Sequence, residues 1–236
     1  MPIVGEINHQ QLGRVIISIR SNSRRASARW RNGLVYLNIP LRLRLPEINK
    51  LLDQFAPKLL ACRPSLRYTA PMELKFSGVN FHIRRQNFTP TQILTKISTS
   101  LCVLEIGNDI DLDSDTATRT VSKIICHIAH RIAPKIIIPR AHYLADKLGC
   151  HPSKWKISRG FRTLGCCSSC GEISLSYAIL FLPEELRDYI ICHELAHLSE
   201  MNHSPRFHAL LNSYLDGREA ILTARLRQFQ WPVLRR

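Results

Sequence analysis

Two histidines four residues apart, with a glutamate directly after the first, constrain this chain more than any other stretch: His193-Glu194-Leu195-Ala196-His197. On an α-helix, residues i and i+4 share a face with their Cβ atoms about 5–6 Å apart. Two imidazoles can then reach one ion at about 2.0–2.1 Å. Glu194 sits beside such an ion rather than on it, placed to take a proton from bound water as general base. The start signals agree with a helix: Pro183 suits the first helical position, and Glu184 and Glu185 suit its positive end. Helical pattern continues to about Glu200. Asn202 then offers a helix end, because asparagine tolerates the left-handed conformation.

His203 follows, so the full spacing is HExxH-x5-H. A turn there swings His203 back as the expected third ligand. Three protein ligands leave a fourth position for water, the layout of catalytic rather than structural zinc. His208 competes for the third place, but it lies inside the next helix, which Ser204-Pro205 starts and Gly217 ends. Three imidazoles favour zinc, one ion per chain.

The rest of the chain reads as α+β. Residues 15–20 form a β-branched strand. Residues 28–31 and 34–39 make a hairpin through Asn32-Gly33, which supplies the positive φ angles of a type I′ turn. Pro46 opens a helix with Leu51, Leu52, Phe55, Leu59 and Leu60 on one face, and Pro57 is expected to kink it. Residues 72–76 and 79–84 form a second hairpin through Ser77-Gly78, and 101–106 a further strand. Asp109 to Asp115 (DIDLDSD) lacks the glycine and closing glutamate of a calcium loop, so it reads as a solvated loop ending in an N-cap. The helix after it runs from about Thr116 towards Leu148, with interruptions near Pro134 and Pro139 and a stop at Gly149. Strands follow at 155–158 and 173–176. The expected organisation is a mostly β region, 1–112, and a helical metal-binding region, 113–236, with one continuous domain as the alternative. No repeat or low-complexity tract is visible.

The chain carries 33 Lys and Arg against 18 Asp and Glu, a net charge of +15. That balance suits a nucleic-acid or nucleotide partner as well as a merely soluble basic protein. Residues 184–203 are the acidic island, a setting for a cation rather than a phosphate. Eight cysteines without an export signal read as reduced thiols, so the expected location is the cytoplasm. No apolar run is long enough for a membrane span. Cys166, Cys167 and Cys170 lack a second CxxC pair, and packing or support of the nearby site is the expected role. His127 and His130 stand at i, i+3 without a third ligand nearby.

The stretches LGCCSSCGEISLS and LPEELRDYIICHELAHLSEMNHSPRFH resemble the YgjP-like metallopeptidase family, related to SprT-like zincins. Gly165, Cys167, Leu175, Pro183, Asp188, Tyr189, His193, Glu194, His197, Leu198, Asn202, His203, Ser204 and Phe207 carry the match. Leu164, Cys166, Ser176 and His208 depart from the family's tryptophan, serine, asparagine and tryptophan. Glu200 also takes the glycine position of the three-histidine zincins, and no Met-turn follows His203. The resemblance implies a zincin-like metallopeptidase domain built on the HExxH helix, preceded by the mostly β region, with zinc on His193, His197 and His203 and Glu194 catalytic.

Three functions are compatible with these residues. The first is a zinc metallopeptidase using a Glu194-activated, zinc-bound water on a peptide or protein substrate. The strand at 173–176 would pair with the extended substrate, and Tyr177, Arg206 or His208 would stabilise the oxyanion. The second is a metal-dependent nucleotide pyrophosphohydrolase. The third is a basic nucleic-acid-associated protein carrying a peptidase site, with the arginines of 14–44 as its contact.

Overall fold

The structure is a computed structural model that describes residues 3–19, 25–31, 34–40, 45–61, 66–76, 78–98 and 100–234. It is mixed α+β, with small sheets and five α-helices among the described residues. The chain divides into two compact units, Met1–Leu66 with Leu234–Arg236, and Arg67–Val233.

The first unit holds strands β1 (Ile3–His9), β2 (Gly13–Ile19), β3 (Ser27–Arg31) and β4 (Leu34–Ile39), then helix α1 (Leu45–Ala61). The sheet order is β1-β2-β4-β3, with β2 and β4 parallel and both outer pairs antiparallel. Alternation puts Val15, Ile17, Val35, Leu37 and Ile39 in one buried cluster with Ile48, Leu52, Ala56 and Leu59 of α1. The expected helix face was slightly misplaced: Leu60 is exposed and Ile48 and Ala56 are in the core. Helix α1 runs without a break through Pro57. The β3–β4 hairpin is present, while its Asn32-Gly33 turn lies outside the described residues.

The second unit begins on the same plan. Strands β5 (Met72–Phe76), β6 (Val79–Gln86), β7 (Ile93–Ile97) and β8 (Leu101–Gly107) lie in the order β5-β6-β8-β7, again antiparallel, parallel, antiparallel. Helix α2 (Asp115–Lys147) comes next. The four-strands-then-helix module thus occurs twice, a repeat that the amino-acid sequence does not display. Its core residues again alternate: Val79, Phe81 and Ile83 on β6, Cys102, Leu104 and Ile106 on β8.

Helix α2 is capped as expected, Ser114 Oγ accepting from Ala117 N at 3.1 Å and Gly149 lying beyond its end with φ +65°. The expected interruptions are not there. Pro134 and Pro139 are exposed, so their rings face solvent, while Ile128, Ala129, Ile132, Ala133, Ile137 and Ala141 stay buried along the other side. Burial of that stripe holds the helix through two missing N–H groups. No described helix is long and apolar enough to cross a membrane.

A small third sheet, in the order β10-β11-β9, comes after α2: β9 (Lys154–Ser158), β10 (Gly165–Cys167) and β11 (Glu172–Ser176). A 3-10 turn, Tyr177–Phe181, leads into α3 (Glu184–Ala196), α4 (Pro205–Tyr214) and α5 (Glu219–Gln228).

Gly107 marks a tight point. A Cβ there would lie 2.1 Å from Pro90 O and 2.5 Å from Thr89 O, both backbone atoms. The same loop is tied down by Gly107 N donating to Gln92 O at 2.8 Å and Asp109 N to Pro90 O at 2.9 Å. Gly107→Ala is expected to lower unfolding free energy by about 1–3 kcal/mol. An unchanged urea midpoint would reject this close approach.

Candidate metal centre

The site grows out of the way α3 ends. Pro183 serves as N-cap, one position earlier than the sequence suggested, and the helix stops at Ala196 rather than near Glu200. His197 is the C-cap, and the chain tightens into i→i+3 bonds, Leu198 N to Leu195 O and Ser199 N to Ala196 O, both at 3.1 Å. This early stop leaves Ser199 to Ser204 free to turn back. Ser204 Oγ then caps α4, accepting from Phe207 N at 3.3 Å, with Pro205 as its first residue.

The turn brings His203 over the last turn of α3. Ring centroids stand 5.0 Å apart for His193 and His197, 5.1 Å for His193 and His203, and 4.8 Å for His197 and His203. One nitrogen from each ring lies within 4.8 Å of the other two. Among the described residues this is the one such convergence of His, Cys, Asp or Glu. The cysteine hairpin, the Asp109 loop and the His127–His130 pair do not form another.

The donor set fits a metal ion. His197 Nδ1 must donate to the Glu200 carbonyl, 3.0 Å away, because a carbonyl only accepts. That fixes the tautomer and leaves Nε2 with its lone pair, as metal-binding histidines require. His203 Nε2 and His193 Nε2 face each other at 3.1 Å, close to the ~3.3 Å separation of two tetrahedral ligands on zinc. Burial, reinforced by the neighbouring imidazoles, pushes His193 down to about 4, and burial also lowers His197. Both rings are therefore neutral at pH 7.

Beneath the three rings lies Phe207, fully buried. It stacks on His197 at 4.5 Å and meets His193 and His203 edge-on at 4.9 and 4.8 Å. Sequence reading gave Phe207 no role. The available signals were its position four residues after His203, one turn into α4, and its place in the family match.

Glu194 is 5% exposed, and burial raises its carboxyl to about 7. Its neighbour is β10: a Cβ on Gly165 would lie 2.4 Å from Glu194 Oε1 and 2.5 Å from its Cγ. With the carboxylate in this position, only a glycine fits at 165. That requirement was not legible either, since it arises from residues 29 positions apart meeting in space.

The substrate-pairing strand proposed from sequence needs correction. β11 is flanked on both edges, by antiparallel β10 and parallel β9. Among the described residues β10 is the open edge, beside α3. Ser176 N donates to Leu164 O at 2.8 Å and Ser168 N to Glu172 O at 2.9 Å. Alternation therefore turns the backbone N–H and C=O of Gly165 and Cys167 away from β11.

The oxyanion candidates also separate. Tyr177 packs among His130, Phe161 and Phe181, with centroids 5.7, 5.8 and 6.3 Å away, and makes no described contact with the three histidines. Arg206 is exposed. His208 stands 6.4 Å from the His203 ring, its Nδ1 bonded to Glu219 Oε1 at 2.7 Å, and Asn212 holds the other Glu219 oxygen at 3.0 Å.

A family model described as YgjP-like, metallopeptidase domain, matches residues 24–228. Among solved structures, the chain is similar to the metallopeptidase zymogen abylysin of Pyrococcus abyssi. The two are 28% identical over 39% of this chain and 92% of that one, with a TM-score of 0.35. No curated protein matches.

If Gly165 makes room for Glu194, Gly165→Ala will turn the carboxylate into another rotamer while the fold persists. A crystal structure of the variant with Glu194 unmoved would reject that role.

Proposed function

The chain belongs to the YgjP-like metallopeptidase family, and with that as premise we propose that it is a zinc peptidase working at His193, His197, His203 and Glu194. One observation supports this reading above the others: three imidazoles converge with a nitrogen of each within 4.8 Å of the others, two of them on the helix end that also carries the buried Glu194 carboxyl.

His193, His197 and His203 would hold the ion, with Phe207 keeping the rings in place from below. Zinc, when bound, supplies Lewis acidity, polarising a carbonyl and acidifying water towards ~7. Glu194 takes the proton from the attacking water and delivers it to the departing amine. A carboxyl kept from bulk water suits that exchange, because it both accepts and returns a proton near neutral pH. β10 offers the outward N–H and C=O of Gly165 and Cys167 to an extended peptide, which would lie as an added strand directly over Glu194.

Metal analysis and turnover test two parts of this reading. Wild type should purify with about one zinc per chain, and His203→Ala should lose most of it under the same conditions. Equal metal in both proteins would remove His203 from the site. Glu194→Gln should keep the metal and lose peptide hydrolysis by about a hundred- to ten-thousand-fold. Full activity in that variant would reject the proton transfer.

A further inference from the structure

The sheet β5-β6-β8-β7 ends on β7, whose outer edge has no strand beside it among the described residues. The ladder fixes which groups face outward. Gly107 N donates to Gln92 O at 2.8 Å and Ser98 N to Leu101 O at 2.9 Å, bracketing the β7–β8 register. Leu94 and Lys96 therefore bond inward to β8, and Ile93, Thr95 and Ile97 present N–H and C=O to the open side. Exposed edges are ordinarily guarded by charge or proline. β7 carries one charged residue, Lys96, and its ammonium is drawn to Glu105 at 3.1 Å, on the face opposite Ile93 and Ile97.

Both ends of this edge open into cavities that share α2 as a wall. At the Ile93 end, a cavity of about 430 Å³ is lined by Ile93 and Ile110 with Thr116, Thr120 and Ile124 of α2. At the Ile97 end, one of about 300 Å³ is lined by Ile97 and Ser98 with Arg131, Ile132, Lys135 and Ile136. Arg131 and Lys135 stand one helical turn apart and have no ion pair or hydrogen bond among the described residues. An apolar pocket with two uncompensated cations at its rim asks for an apolar group and an anion together.

We propose that the β7 edge and α2 form a docking groove for the C-terminal end of a partner polypeptide. The last residues of the partner add to β7 as a parallel strand, bonding to Ile93, Thr95 and Ile97. The final side chain, apolar, enters the cavity of Ile97, Ile132 and Ile136, and its free carboxylate meets Arg131 and Lys135. One terminal residue supplies both groups, whereas an internal Asp or Glu would supply the charge and leave the isoleucines uncovered. Ile93 and Ile97 are four residues apart, about 13 Å along a strand. The partner's side chain four positions before its last therefore falls at the cavity of Thr116 and Thr120, which suits a small or hydroxyl-bearing residue. This groove is separate from the α3 site and does not rest on the peptidase reading.

A random heptapeptide library with free C-termini, and the same library amidated, would be screened on the full chain at low salt. Enriched peptides would then be measured by fluorescence anisotropy. The free-acid library should enrich apolar last residues, and amidation should weaken binding about tenfold. Arg131→Gln with Lys135→Gln should cause a similar loss. Thr95→Pro should abolish binding while leaving the sheet intact, since the Thr95 N–H is not part of the ladder. No enrichment over the amidated library, or binding that survives both variants, would overturn the proposal.

Discussion

Helix α3 has no solvent face to spare. It packs against α2, α4, α5, β10, β11 and the 3-10 turn, and Leu186, Ile190, Ile191 and Leu195 are buried around it. Past the exposed Glu184 and Glu185 of its first turn, every residue of the helix is buried or half-buried. Enclosure is also what gives the site its chemistry. Glu194 and the ring of His193 lie in the same low-dielectric surroundings as the leucines, so the charged form of each is disfavoured. The elements packed round α3 therefore set the protonation of the residues it carries.

Much of the site was readable because its logic is local. The i, i+4 pair, the Ser204-Pro205 cap and the short span from His197 to His203 are all set by neighbouring residues. What escaped reading depends on tertiary approach. The Gly165–Glu194 contact, the Phe207 platform and the open edge of β10 each need two distant segments to be placed first. Strands β1 and β7 and helix α5 escaped for a different reason: their apolar residues are too few or too exposed to set a period. The prolines of α2 misled because a local rule, the lost N–H, was outweighed by a long buried stripe.

The repeated module shows another limit of sequence reading. Both copies use the alternation of buried positions along each central strand, Val15 and Ile17 with Val35, Leu37 and Ile39 in one, Val79 to Ile83 with Cys102 to Ile106 in the other. Any β-branched or aromatic residue of fitting size satisfies that pattern, so topology persists where residue identity does not. The two copies differ in the reach of their helices. Helix α1 ends at Ala61, whereas α2 runs on to Lys147 and contacts β9, the 3-10 turn and α3. The extra length of α2 is the scaffold on which the candidate metal centre is assembled.

The stop of α3 at Ala196 also orients an electric field. The carbonyl end of a helix carries a partial negative charge, roughly half an elementary charge spread over its last turn. His193 and His197 occupy that last turn and the cap. A cation held between them would sit in an attractive potential made by the main chain itself. That attraction involves no titrating group, so acid would not erase it, and its partial burial would shield it from salt. Four more residues of helix would have carried the negative pole past the imidazoles and left them beside the neutral middle of the rod.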